Sequence, residues 1–273
     1  MNPDVELNPY GFNALRMCRW GPMIYNKNDA YVGRSIAKYG EYSWGEQQLF
    51  SQLLKPGAVI VEAGANIGAH TIPLARIAGP NGAVLAFEPE RFSFQTLCAN
   101  VALNQCTNVW AFQQAVAASN GMIPVPAVDP TVPNNFGGVT LLSKTGADIV
   151  PMRTVDSLQL AACTMLKADV EGMEIDVLRG AQQTIAQLRP LIYIENDRED
   201  KSAEMIDALL KLNYELYWHL PGLFNPDNFA GDPENVFGST LSINMLCFPA
   251  ESKPNAQGFR RIRSPADKWN APS

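Results

Sequence analysis

Residues 59–75 read VIVEAGANIGAHTIPLA. The uncharged, β-branched run Val59–Val61 has the make-up of a buried strand. Gly64 and Gly68 interrupt it, and Ile67, Ile72, Leu74, Ala75 and Ile77 then recur as one face of a helix against a sheet. The order is strand (58–63), tight turn, helix (67–78). Two glycines in the turn lay backbone bare, as a closely approaching ligand requires. A pyrophosphate-binding GxGxxG would have its second glycine where Asn66 stands. The turn therefore suits a ligand with a nucleoside and an amino-acid end better than a dinucleotide.

The same unit repeats on either side. A strand over 83–89 precedes a helix over 91–104, and a third strand spans 109–116. Strands joined by helical crossovers predict a parallel sheet with right-handed connections. Residues 119–156 break the pattern, with prolines at 124, 126, 130 and 133 that a central strand would not tolerate. This insert precedes the fourth strand, and its length points to a binding role, as part of a substrate pocket or its lid. The unit resumes with strand 165–172, helix 173–187, strand 190–197 and helix 202–213. Two late strands, in YELYWHL and STLSINMLCF, predict an antiparallel edge. Before the repeat, Ser43 and Glu46 have capping-box spacing at the start of a helix. The expected organisation is an N-terminal arm or cap (1–45), an α/β domain (46–250) and a C-terminal tail (251–273) in which the basic RRIR stretch, 260–263, is solvated.

The 273 residues carry a net charge of −6 and are 47% hydrophobic, enough for one large core. An acidic balance argues against a nucleic-acid partner. Five cysteines without a CxxC pair fit a reduced, cytoplasmic setting. No signal-peptide pattern and no apolar run of membrane-spanning length is visible. A homo-oligomer is compatible with the composition.

Glu88 closes the second strand in FEPE. A carboxylate at that strand end can accept both ribose hydroxyls of a nucleoside ligand. VEAGANIGAHT, FEPE, LKADVEGMEIDVLRGA and NVFGSTLSINMLC together resemble the FkbM-type methyltransferases, over roughly residues 30–250. The resemblance implies a Rossmann-like seven-stranded methyltransferase sheet, S-adenosylmethionine as cofactor, and methyl transfer to a hydroxyl of a small metabolite or sugar. It further implies that Glu62, Gly64, Asn66 and Gly68 hold the methionine part and Glu88 the ribose. His70 lies where family members often carry an aromatic. Tyr39, Glu41 and Glu46, in YGEYSWGE, are expected to help close the pocket.

Methyl transfer to an alcohol is an in-line displacement that needs alignment and often a base. Asp169 after the fourth strand and Glu195 after the fifth are the carboxylate candidates. His219, near the end of the sixth strand, is a further catalytic candidate. Asp169 can also face the cofactor. Glu174, one turn into its helix, reads as a cap of the helix dipole. Related small-molecule O-methyltransferases imply an alternative in which Asp169, Glu195 and Asn196 hold magnesium through oxygen ligands. The rival reading of the whole chain is a cofactor-fold protein that binds a partner without catalysis.

Overall fold

A computed structural model describes residues 4–5, 8, 10–140, 148–254 and 256–271. The chain opens with an antiparallel meander of β1 (Asp4–Val5), β2 (Asn13–Cys18) and β3 (Gly21–Asn26), followed by α1 (Val32–Tyr39) and α2 (Trp44–Leu53). The repeating part is β4 (Val59–Ala63), α3 (Thr71–Ala78), β5 (Ala83–Phe87), α4 (Arg91–Leu103) and β6 (Val109–Phe112). The insert carries β7 (Ala115–Val116), β8 (Gly121–Val125) and β9 (Asp148–Arg153), which form a separate small sheet. Then come β10 (Met165–Ala168), α5 (Glu174–Arg179), α6 (Gln182–Leu188), β11 (Leu191–Glu195), α7 (Glu199–Lys211), β12 (Tyr214–His219), β13 (Asn244–Pro249) and β14 (Arg260–Ile262).

The main sheet runs β14-β12-β13-β11-β10-β4-β5-β6. Strands β6, β5, β4, β10 and β11 are parallel; β13 inserts antiparallel between β11 and β12, and β14 pairs antiparallel with β12. This is the expected Rossmann-like sheet with an antiparallel edge. It has eight strands among the described residues, not seven. The eighth comes from the segment read as a solvated tail, because Ile262 is buried and anchors the RRIR stretch against Leu216. One face packs on α2, α3 and α4 through Phe50, Leu74 and Leu97. The other packs on α5, α6 and α7 through Val177, Ile185 and Leu209. Among the described residues, no helix is long and apolar enough to cross a membrane.

Several boundaries move for local reasons. The strand expected over 109–116 breaks after Phe112, and Ala115–Val116 turn away to pair with β9. The helix expected over 173–187 divides at Gly180. A Cβ there would lie 2.1 Å from the Ala117 carbonyl oxygen, so the backbone passes too close for a side chain. Ser43 does precede α2, but in the left-handed region, and its hydroxyl donates to Glu46 Oε1 (2.7 Å) instead of capping a backbone N–H. Part of the insert, residues 141–147, lies outside the described residues.

Candidate active site

The carboxyl ends of β4, β5, β10 and β11 open into one cavity of about 350 Å³. Its floor on the β4 side is the turn quoted above. Gly64 has φ +83, and a Cβ on it would stand 1.7 Å from the Asp169 carbonyl oxygen, so only glycine lets β4 and β10 approach this closely. Asn66 is also left-handed (φ 50), and its Oδ1 accepts from the Ile67 N–H (2.6 Å). Gly68 (φ +88) gives room to Leu97. The chain needs all seven residues 64–70 to turn, which is why α3 begins at Thr71 and not at Ile67.

Glu88 braces this turn. Its Oε2 accepts from the Asn66 N–H (2.7 Å) and its Oε1 from the Glu90 N–H (2.8 Å). Burial pushes its carboxyl up to about 7, against the pull of those two N–H groups. Glu88 lines the cavity together with Gly64, Asn66 and His70. Gln114, just beyond β6, also lines it, and its buried Oε1 has no partner. His70 Nδ1 is equally unpartnered, while Nε2 lies 3.5 Å from Glu46 Oε2. Burial, and then the nearby Lys167 ammonium, lower His70 to about 3, so this imidazole is neutral.

The opposite wall is acidic. Asp169, Glu171 and Glu195 bring carboxylate oxygens within 4.8 Å of one another, and Asp197 lines the same side. Burial first, then repulsion from Asp169 and Asp197, raises Glu171 to about 7. The same causes, with Glu171 added, raise Glu195 well above the usual carboxylate range. Glu195 Oε2 is buried without a partner. Glu174 does not join them: its carboxylate accepts from the Val170 and Gly172 N–H groups and fixes the turn before α5, as its capping role predicts.

Three segments roof the cavity: Tyr31, Val32 and Tyr42 from the N-terminal part; Asn135–Val139 from the insert; and Leu223 with Thr240–Ile243 from the β12–β13 connection. The insert is clasped to the N-terminal segment. The Asn26 and Asn28 side chains both donate to the Pro130 carbonyl (3.0 and 2.9 Å), and the Ala30 N–H donates to Asn134 (2.9 Å).

Six residues picked from the sequence thus meet at the cavity: Gly64, Asn66, His70, Glu88, Asp169 and Glu195. Others do not line it. Glu62 is fully buried beneath the floor, where Thr71 Oγ1 donates to it (2.6 Å); burial raises it to about 7, partly offset by Lys167. Tyr39 and Glu41 secure the β12–β13 connection: Tyr39 Oη donates to the Glu234 carbonyl (2.8 Å), and Glu41 accepts from Arg19, Asn225 and the Phe229 N–H. They therefore shape the pocket through the roof they hold. His219 lines a different depression with Trp44 and Phe259, and its Nδ1 bonds Tyr193 Oη (2.8 Å). Its strand lies three positions from β10, because β13 is inserted between β12 and β11. Sequence reasoning passed over Lys167 and Gln114. The signal for Lys167 was a lone lysine in the otherwise apolar strand MLKA.

Residues 62–216 match the family described as the methyltransferase FkbM domain. The chain belongs to the FkbM methyltransferase family. S-adenosylmethionine is the cofactor of this family. It is similar to the methyltransferase sdnD of Sordaria araneosa, with 28% identity over 186 residues, 56% of this chain and 71% of that protein. It is also similar to the hexuronic acid methyltransferase AglP of Haloferax volcanii, with 27% identity over 210 residues, 71% of this chain and 83% of that one. The crystal structure of the methyltransferase FkbM from Methylobacillus flagellatus superposes with a TM-score of 0.49 at 18% identity. It covers 75% of this chain, which spans about half (51%) of that structure.

The residues present fit S-adenosylmethionine. Glu88 at the end of β5 would take the ribose, Gln114 offers a free amide acceptor at the next strand end, and the acidic wall suits a sulfonium. They do not fit the alternative in which Asp169, Glu195 and Asn196 hold magnesium. Asn196 is buried away from the cavity, with its Nδ2 3.2 Å from Met245 Sδ, and its place is taken by Glu171. Glu171 is itself paired with Arg198 (3.1 Å), and Lys167 stands 3.6 Å from Asp169, so two resident cations already face these carboxylates.

Proposed function

We propose that this FkbM methyltransferase methylates a hydroxyl of a small metabolite or sugar, with Glu195 as general base. The supporting observation is the pairing of Glu88 and the glycine turn on one wall with the carboxylates after β10 and β11 on the other. S-adenosylmethionine supplies an electrophilic methyl group on a sulfonium. Glu195 accepts the hydroxyl proton: its raised affinity for a proton makes it a stronger base than an ordinary carboxylate, which general-base catalysis near neutral pH favours. Asp169, beside Glu195 on the acidic wall, orients both partners. The roof from the insert excludes water from the methyl donor. An acidic lining and a net charge of −6 favour a small acceptor over a nucleic acid.

The test is an acceptor panel of neutral sugars, uronic acids and hydroxylated metabolites, incubated with methyl-labelled donor and read by mass spectrometry before and after alkaline treatment. Ethers survive alkali and esters are cleaved. Alkali-stable products support the hydroxyl reading. Alkali-labile products alone would replace it with carboxyl methylation, the chemistry a uronic acid also offers. Cofactor binding with no product from any acceptor would favour the non-catalytic alternative.

A further inference from the structure

Lys167 is the sole lysine or arginine among the described residues that line the cavity, and the mechanism above leaves it idle. It sits in β10 between Glu62 on β4 and Tyr193 on β11, with 1% of its surface exposed. Its Nζ lies 3.6 Å from Asp169 Oδ2, beyond hydrogen-bond distance, and no other carboxylate of the described residues comes within 4 Å. The ammonium, on a largely buried side chain that borders the cavity, thus has one ion-pair neighbour and no hydrogen-bond acceptor among the described residues. Burial opposes the charge, but the carboxylates of Asp169, Glu62, Glu46 and Glu195 outweigh it and keep the group protonated. A buried ammonium without acceptors is costly, and an anionic oxygen entering from the cavity would relieve that cost.

Resting on the S-adenosylmethionine reading, we propose that Lys167 is the anchor for the α-carboxylate of the cofactor's methionine part, with Asp169 beside it taking the α-ammonium. The cofactor has one anionic group, and Lys167 is the one lysine or arginine among the described residues that borders the cavity, since Arg198 lies outside the lining and is paired with Glu171. The two charges of the α-amino acid then face opposite charges of the protein. Lys167 lies one strand from the Gly64 turn, so the same ligand can touch both. Glu62 beneath it keeps an unpartnered Oε1 and serves as counter-charge for the ammonium from below.

The test is a two-by-two calorimetric binding cycle. One axis is wild type against Lys167→Met. The other is S-adenosylhomocysteine against its decarboxylated analogue, in which 3-aminopropanethiol replaces homocysteine. Wild type should prefer the carboxylate-bearing ligand by about 10- to 100-fold, and Lys167→Met should bind the two alike. Retained binding of the analogue shows that the variant folds; where Lys167→Met fails this, Lys167→Gln takes its place. A wild type without preference, or a preference that survives in the variant, overturns the anchor. Binding of neither ligand by wild type overturns the S-adenosylmethionine reading itself, and the anchor with it.

Discussion

At the scale of single residues, the site rests on groups whose positions admit few replacements. Gly64 combines φ +83 with a Cβ position 1.7 Å from the Asp169 carbonyl oxygen. Gly64→Ala therefore brings both left-handed strain and a backbone clash, and should cost on the order of 2–5 kcal/mol. Thermal unfolding and S-adenosylhomocysteine titration check this; a variant of wild-type stability would show that β4 and β10 can separate cheaply. Glu88 does two jobs. It holds the Asn66 and Glu90 N–H groups, and it lines the cavity where the proposed cofactor's ribose would lie. Glu88→Ala should weaken S-adenosylhomocysteine by about 1.5–3 kcal/mol. Some loss of stability should accompany it, since the turn loses its brace. Unchanged affinity by calorimetry would remove Glu88 from the ribose position.

At the scale of elements, the insert and the N-terminal segment act together. Asn26 and Asn28 converge on one acceptor, the Pro130 carbonyl, and Asn135–Val139 then reach over the cavity. Replacing both asparagines by alanine removes the two bonds to Pro130 and the one from the Asn28 N–H to Asn26 Oδ1, and should loosen this roof and raise the KM for the acceptor on the order of tenfold. Cofactor affinity should stay as it was, because Glu88 and the glycine turn are untouched. Equal losses of acceptor and cofactor binding would mean that the clasp supports the whole site. The insert was legible as an excursion from the sheet, because its prolines rule out a central strand. Its partner was not, because nothing in residues 26–30 signals that they meet a segment a hundred positions later.

At the scale of the whole molecule, the buried carboxylates set the pH response. Glu62, Glu88 and Glu171 are each raised from 4.5 to about 7. A raised carboxyl adds stability that is complete below its unfolded value and is lost as pH climbs through the folded one. His70, lowered to about 3, works the opposite way and matters only below its ordinary value of 6.5. Between about pH 6.5 and 8 the carboxylates act alone, so the Tm of the ligand-free protein should fall across that window. A flat Tm, or a slope that Glu62→Gln leaves unchanged, would contradict this. The proposed base, Glu195, is also raised well above the usual carboxylate range, by burial and then by Asp169 and its other acidic neighbours, so activity should rise with pH as it ionises, and Glu195→Gln should abolish that rise. The eighth strand is a separate support. Removing residues 256–273 takes away Ile262, whose burial is worth about 1.5–3 kcal/mol. Tm should drop with cofactor affinity unchanged, since β14 lies at the edge farthest from β4.

By itself the sequence determined the alternation of strands and helices, the glycine turn after β4, the acid closing β5 and the carboxylates after β10 and β11. Each of these is a local pattern. Side-chain period, backbone freedom at glycine and charge at a strand end all act within a few residues. Only the tertiary structure decided which of those groups share a space. Strand order put β13 between β11 and β12 and so carried His219 to another depression. Packing turned Asn196 inward and brought Glu171 to Asp169 and Glu195. It buried Lys167 among acids from three other elements and closed Pro130 onto Asn26 and Asn28. Contacts of this kind depend on which elements become neighbours, and that follows from burying both faces of the sheet at once, not from any stretch of sequence read alone.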